Sequence, residues 1–575
     1  MRYIIFIFLF SQCIYVKAQN ALNIPPALTG TNFNLNVQSG TTIFYGNKPT
    51  PTFGINGVWM SPTIIINKGD NITLNVKNQL NIKTTMHWHG LHVAAVNDGG
   101  PHQIINPNTT WSPSFKVRNN AGTFWYHPHG AGQTDPQVSK GIAGMIIIKD
   151  SAEAALTLPR TYGVDDIPII VQSKAFDDLQ QIAIASDMDT AIFVNGTLNP
   201  YFDAPAQVIR FRLLNGSSLR SFNFGLSNGT TFYQIATDGG LLDSSVAHTR
   251  LRLSPGERAE ILVNFSGMVG QTVYLKNFGS EMLTGIYGAD TVGKGTDTIH
   301  EYEDNFLNGA DYNLLQLNIK SATGGAITTL PTALVPYTPF NSFAATKYRT
   351  IVMDTFRLLP IDLPNLAEGP FGMNNKTFDM DSINEIVHLN TTEIWTLVNK
   401  TFVAHPFHIH DIQFNIIEKS GIPPPPSEIG WKDVVLVMPN DSVKLITKFE
   451  TFADNKVPYM YHCHLLHHED DGMMGSFLVI DTTVTAIKDI IGVNDIGIYP
   501  NPASGNILFQ TNAEILNATI KIINSLGEIL IQSNISNNNS MLDISILPQG
   551  IYIVQIILTG IGTNNDFFTH KLIKQ

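Results

Sequence analysis

Four short clusters hold most of the chemistry available to this chain. They are "HWH" at His87 and His89, "HPH" at His127 and His129, "HPFHIH" at His405, His408 and His410, and "HCHLLHH" around His462, Cys463, His464 and His468. Each contains one His-x-His pair. With 17 histidines in 575 residues, random placement would give roughly half such a pair. Side chains alternate along a strand, so both histidines of a pair face the same way. Eight imidazoles gathered in this manner are enough to hold several metal ions. The same parity turns Cys463 away from His462 and His464. It also turns His405 away from His408 and His410, although Pro406 interrupts that run. His405 and Cys463 therefore form a second group, apart from the eight.

The thiol has no evident disulfide partner, since the other cysteine, Cys13, lies near the N-terminus. His468 follows Cys463 by five residues and Met473 follows His468 by five, and a loop can return both to the thiol. Two histidines, a thiolate and a weak axial methionine are the ligand set of a blue-copper electron-transfer site. Zinc also accepts Cys and His. It accounts for neither the methionine nor the eight further histidines, and the thiol lacks the CxxC spacing of structural zinc.

The elements that must position these residues are strands. Hydrophobic residues make up 43 % of the chain and charged residues 14 %, with 45 Gly and 31 Pro, which favours a folded protein of short strands and turns. A net charge of -12 without a basic run excludes nucleic acid as a natural partner. Three segments share one pattern, an Asn-containing turn followed by an alternating strand ending in Asn: residues 53–78, 193–215 and 371–399. "TLNV", "IRFRLL" and "EIWTLV" within them read as strands with one apolar face. The pattern predicts a triplicated β-sandwich. After Asp481 the composition shifts toward Ile and Asn, which predicts a small separate β-sandwich beyond a linker.

With these residues in view, the chain resembles the multicopper oxidases, the laccase-like family. "HWHG", "WYHPHG", "HPFHIH" and "HCHLLHHEDDGMM" stand in that family's order, over roughly Leu22 to Asp481, and the bacterial three-domain branch is the nearest likeness. The resemblance implies an all-β fold: three cupredoxin-like Greek-key domains at 19–155, 156–340 and 341–485, and the small β-sandwich at 491–575. It implies four copper ions. His405, Cys463, His468 and Met473 would hold the type 1 copper, and His87 and His408 the type 2. His89, His127, His129, His410, His462 and His464 would hold the type 3 pair. Asp98, in "NDGGP", and Glu469, beside His468, match acidic residues that relay protons in the family.

The implied activity is one-electron oxidation of phenolic or aromatic donors coupled to four-electron reduction of O2 to water. Cuprous-ion oxidation is the alternative, and a copper-binding or scaffold protein without turnover is a third reading. The segment before "FDM" lacks the Met- and His-rich insert common in cuprous oxidases, which weighs against the metal-ion reading. His92, His102 and His467 lie near the clusters but off the ligand pattern. "GIPPPPSEIGWKD" (421–433) reads as a stiff connector or substrate edge.

Residues 1–18 read as a secretory signal, too short for a convincing membrane span. "YPNPASG", "LPQGIYIVQI" and the basic end "HKLIK" resemble the sorting domain of the type IX secretion pathway. That likeness implies passage through the periplasm to the cell surface or medium, with the type IX machinery as partner. The mature protein is expected to be a monomer without a membrane span.

Overall fold

The computed structural model of the chain describes residues 19–291, 305–355, 371–481, 496–511, 518–535, 539–558 and 567–575. The expected signal segment and Cys13 lie outside them. The chain divides into two compact units, Met1–Ile480 and Asp481–Gln575.

The larger unit is built on one device used three times. An early strand pairs in parallel with a later one: Asn32–Thr42 with Asn71–Asn78, Asp166–Phe176 with Val208–Asn215, and Lys347–Thr355 with Thr392–Asn399. The early strand also pairs antiparallel with a short strand that runs into, or directly precedes, an asparagine of positive φ: Asn56, Asn195 and Asn374 (φ 55°, 49° and 54°). Asparagine tolerates this left-handed conformation because its short amide bonds locally. Each amide oxygen accepts a backbone N–H of the early strand, from Asn36, Ile170 and Val352 at 2.9, 2.8 and 2.8 Å.

The asparagines that close the later strands are equally fixed. Asn78, Asn215 and Asn399 are buried and donate to backbone carbonyls across the turn. Each also accepts the N–H two residues on. The turn-and-strand echoes of the sequence are thus three copies of one hydrogen-bonded frame.

Each frame carries two facing sheets with an apolar core between them. Leu35, Leu74, Trp88 and Phe124 fill the first, Ile169, Phe211, Ile261 and Leu317 the second, and Trp395, Phe407, Tyr461 and Phe477 the third. Cys463 and Met473 belong to this third core. Val208–Asn215 is buried on both faces. Its polar side meets carboxylates and the first sandwich: Arg212 reaches Asp166 at 2.6 Å and the Thr123 hydroxyl at 3.0 Å.

The smaller unit has a three-stranded and a four-stranded sheet around Ile507, Phe509, Ile520, Val554 and Leu572. Among the described residues no helix is long and apolar enough to cross a membrane.

Candidate metal centre

Two antiparallel strand pairs bring the histidines together. His87–His89 lies against Gly122–His127, with His87 opposite His127. His405–Ile409 lies against Asp454–Cys463, with His408 opposite His462 and Phe407 opposite Cys463. The first and third sandwiches thus deliver two His-x-His pairs each. Only His87 and His89 sit wholly inside a strand. The other three pairs straddle a strand end, with His129, His410 and His464 just beyond it.

All eight imidazoles are buried, His87 at 1 % exposure and the rest at 0 %. Their nitrogens fall into compact groups: His87, His408 and His410; His89, His127 and His464; His129, His410 and His462, with ligand atoms within 4.8 Å of one another in each. In the last group three Nε2 atoms converge, at 3.1, 3.2 and 3.3 Å. The opposite nitrogens face acceptors. His410 Nδ1 bonds to Asp98 Oδ2 at 2.7 Å, His462 Nδ1 to the Cys463 carbonyl at 3.0 Å, and His129 Nδ1 stands 3.4 Å from Glu469. With protons on the outer nitrogens, the inner lone pairs point at one another.

The same holds elsewhere. Nδ1 of His87, His127 and His408 is taken by the carbonyls of Asp98, Pro128 and Asp433 at 3.0, 2.8 and 2.8 Å. Their buried Nε2 atoms have no hydrogen-bond partner among the described residues. Buried nitrogens left this way are costly unless a cation takes them. The donor set therefore fits metal ions.

Protonation points the same way. Burial, reinforced by neighbouring histidines, drives His89, His127, His129, His408 and His464 well below the usual imidazole range, and His410 down to about 3. Neutral imidazole is the form that binds metal.

The second group is separate, as strand parity requires. His405 Nδ1 lies 3.3 Å from the Cys463 sulfur and 3.3 Å from His468 Nδ1. The three ligand atoms form one buried cluster. Met473 is fully buried, and its carbonyl accepts the Cys463 N–H at 3.0 Å. His468 comes from the helix Leu466–Asp470 and not from a loop. The outer nitrogens are again held: His405 Nε2 by the Thr401 hydroxyl at 2.8 Å and His468 Nε2 by the Tyr287 hydroxyl at 3.1 Å. Burial pushes the Cys463 thiol up, so in this pocket the thiolate needs a cation in place of its proton.

Of the two predicted carboxylates, Asp98 lies between His410 and His87, with Oδ1 3.5 Å from His87 Nδ1. Burial opposes its ionisation, but those two imidazoles hold its carboxyl below the usual range. Glu469 accepts the Thr134 hydroxyl at 2.8 Å and stands 3.0 Å from His462 Nδ1. His92 lies on Asp411 at 2.8 Å, His102 on the Met380 carbonyl at 3.0 Å and His467 3.4 Å from Asp471, all outside the nitrogen groups.

Sequence reasoning missed Asp433. The Pro-rich connector ends there, inside the site, where the carboxylate takes His89 Nε2 at 3.1 Å and both ends of the Arg258 guanidinium at 2.5 and 2.6 Å. The available signal was the "GWKD" that follows the prolines. Tyr287 gave no signal, since it reaches His468 from a turn far from the clusters in sequence and packs in the third core.

A fold of facing β-sheets that encloses a His–Cys–His cluster beside eight converging histidines defines a cupredoxin-type copper protein. The chain matches the multicopper oxidase family over residues 36–153 and 350–483, and the secretion system C-terminal sorting domain over 497–575. It is 32 % identical over 457 residues to the multicopper oxidase mco of Staphylococcus haemolyticus, covering 78 % of this chain and 88 % of that protein. It is also 31 % identical to the cell division protein FtsP of Photorhabdus laumondii, covering 80 % and 93 %. Among solved structures, a laccase-like multicopper oxidase, CueO, from Ochrobactrum superposes with a TM-score of 0.69 at 31 % identity, covering 80 % of this chain and 100 % of that one.

The chain belongs to the multicopper oxidase family. It is a copper-dependent oxidoreductase that uses O2, and its cofactor is the family's set of four copper ions. The C-terminal sorting domain suggests a secreted or cell-surface protein.

Proposed function

We propose that the chain is a laccase-like oxidase. It takes single electrons from phenolic or aromatic donors at the Cys463 site and delivers them to the eight-histidine cluster, where O2 becomes water. One observation carries this reading: the Cys463 sulfur faces His405 and His468, while its covalent neighbours His462 and His464 enter two different histidine triplets.

In this assignment His405, Cys463, His468 and Met473 hold the type 1 copper, and His87 and His408 the type 2. The triplets His89, His127, His464 and His129, His410, His462 hold the type 3 pair. When bound, copper supplies the one-electron exchange that the side chains lack. The residues supply the rest. The His462–Cys463–His464 backbone joins the sites through bonds. Asp98 Oδ2 accepts from His410 Nδ1 and Glu469 from the Thr134 hydroxyl, which sets two proton acceptors beside the cluster. Asp433 fixes the rings of His89 and His408.

The phenolic reading draws support from the Ochrobactrum protein, whose description names oxidase activity towards lignin model compounds. The solved multicopper oxidase of Campylobacter jejuni, described as a metallo-oxidase, supports a cuprous ion as the second reading. Oxygen uptake by copper-loaded protein with a methoxyphenol, and separately with cuprous ion, decides between them. Cys463→Ser should abolish both activities and the blue colour. Turnover that survives this change refutes the assignment, and a blue protein without uptake would favour a scaffold.

The proposal extends to export: cleavage after residue 18, passage by type IX machinery, and removal of the sorting domain. Extracellular protein lacking the residues beyond about 493, absent when the machinery is disabled, is the expected result. Boundaries at 155/156 and 340/341 and a monomeric state complete the reading, and size-exclusion chromatography with light scattering tests the last.

A further inference from the structure

His468 is the outer ligand of the Cys463 site, yet it is only 1 % exposed. Phe371 stacks on one face of its ring, with centroids 3.9 Å apart and planes at 21°. Nδ1 faces His405, so Nε2 is the nitrogen directed away from the cluster. A donor molecule therefore cannot rest on the imidazole edge. The other histidine of the site offers no way out: His405 Nε2 ends on Thr401, itself buried and tied to Asn399 and Val403.

What His468 Nε2 does meet is the Tyr287 hydroxyl at 3.1 Å. Tyr287 is 6 % exposed and lines a surface depression of about 10 Å³ with Leu219, Arg220 and Gly288. The depression is too small to admit an aromatic ring. The tyrosine is held in place by its backbone. Its carbonyl accepts the Ser221 N–H at 2.9 Å, and Gly288, at φ 102°, turns the chain where a side chain would press on the Ser221 carbonyl at 3.0 Å.

We infer that Tyr287 is the residue through which electrons reach the type 1 site. The donor docks on the outer edge of Tyr287, and its electron crosses the phenol ring and the hydrogen bond that His468 Nε2–H donates to the Tyr287 hydroxyl oxygen. The donor loses one electron and the metal centre gains it. A phenolic donor sheds its own proton to solvent, and the O–H bond of Tyr287 is neither broken nor made. This inference rests on the ligand assignment above and adds a consequence: donors act at a distance, so selectivity follows their reduction potential more than their fit to a pocket.

Tyr287→Phe keeps the ring and removes the hydrogen bond. Reduction of the blue centre is followed anaerobically by stopped flow with ferrocyanide and with a methoxyphenol. Reoxidation by O2 is measured separately, and the type 1 hyperfine coupling is read by electron paramagnetic resonance. The expected result is reduction slowed about tenfold with both donors, the rate equivalent of one hydrogen bond, an altered hyperfine coupling, and unchanged reoxidation. Wild-type reduction rates with both donors and an unaltered signal would overturn the inference. Tyr287→Ala, which removes the ring, should slow ferrocyanide further, and a wild-type rate there also overturns it. A wild-type protein without blue colour would instead sink the ligand assignment, so the two failures are distinguishable.

Discussion

Asp433→Asn tests the part of the site that the sequence concealed. Asp433, Arg258 and His89 are all fully buried. The carboxylate takes two guanidinium contacts, at 2.5 and 2.6 Å, and His89 Nε2 at 3.1 Å. Since His89 turns Nδ1 toward His464, at 3.2 Å, its proton sits on Nε2 and Asp433 must accept it. An asparagine of the same shape has one oxygen. Its amide nitrogen then faces Arg258 Nη2 if it takes the place of Oδ2, or both Arg258 Nη1 and the His89 N–H if it takes the place of Oδ1, donor against donor. At least one charge-assisted hydrogen bond is lost, about 1.5–3 kcal/mol.

Arg258 keeps the Thr123, Gly256 and Asp238 carbonyls at 3.2, 3.0 and 2.9 Å, and of carboxylates the Asp238 group at 3.8 Å. The ceiling is the roughly 3–5 kcal/mol cost of stripping a buried charge of its partner. Because His89 Nε2 then has at best an uncharged amide oxygen to orient it, copper affinity at the His89, His127, His464 triplet should fall about 10–100-fold. Chelator competition read by metal analysis gives the affinity, and calorimetry of copper-free protein gives the stability. If Asp433→Asn holds copper to the same chelator concentration as wild type, and melts with it, the carboxylate does not orient the ligands and the reasoning fails.

Three further outcomes follow from named groups. Met473→Leu conserves core volume, so it should cost under about 1.5 kcal/mol while raising the type 1 potential in a spectroelectrochemical titration; a fall counts against the axial assignment. Asp98→Asn should slow reoxidation by O2 about a hundredfold and leave anaerobic reduction of the blue centre intact; unchanged reoxidation removes Asp98 from proton delivery. Lys174 is buried, and burial lowers its pKa from 10.5 to about 7 against the opposing pull of Asp135, with Nζ 5.3 Å from the Trp59 ring. Between these values the unfolded chain holds a proton that the folded one lacks, so stability is lost as pH falls from 10.5 toward 7, by roughly 5 kcal/mol at most. Lys174→Met should therefore raise the melting temperature at pH 7 and show a much smaller gain near pH 10; an equal gain at both would refute a neutral buried lysine.

The sequence showed the parts that are local. The three frames were legible because Asn56, Asn195 and Asn374 occupy a backbone conformation few residues accept, and Asn78, Asn215 and Asn399 close a hydrogen-bonded turn. Those demands fall on single residue types. The two metal groups were legible because parity depends only on neighbours in the chain. Asp433 and Tyr287 were not, since their roles arise from contacts with His89, 344 residues away, and with His468, 181 residues away. The helix that carries His468 was also missed, because five residues make too short a period to read.

Parity, with the backbone, also ties the two residue groups together mechanically. The Cys463 N–H bonds to the Met473 carbonyl at 3.0 Å and the His464 N–H to the Pro406 carbonyl at 2.6 Å. The backbone around the thiol is thus clamped between Met473 and the strand bearing His405 and His408. Neither His462 nor His464 can shift without moving the sulfur that faces the other site. The clamp belongs to the backbone, so Cys463→Ser leaves it in place. That variant removes the sulfur while keeping the histidine cluster, which is why its loss of turnover would report on electron delivery and not on collapse of the oxygen-reducing site.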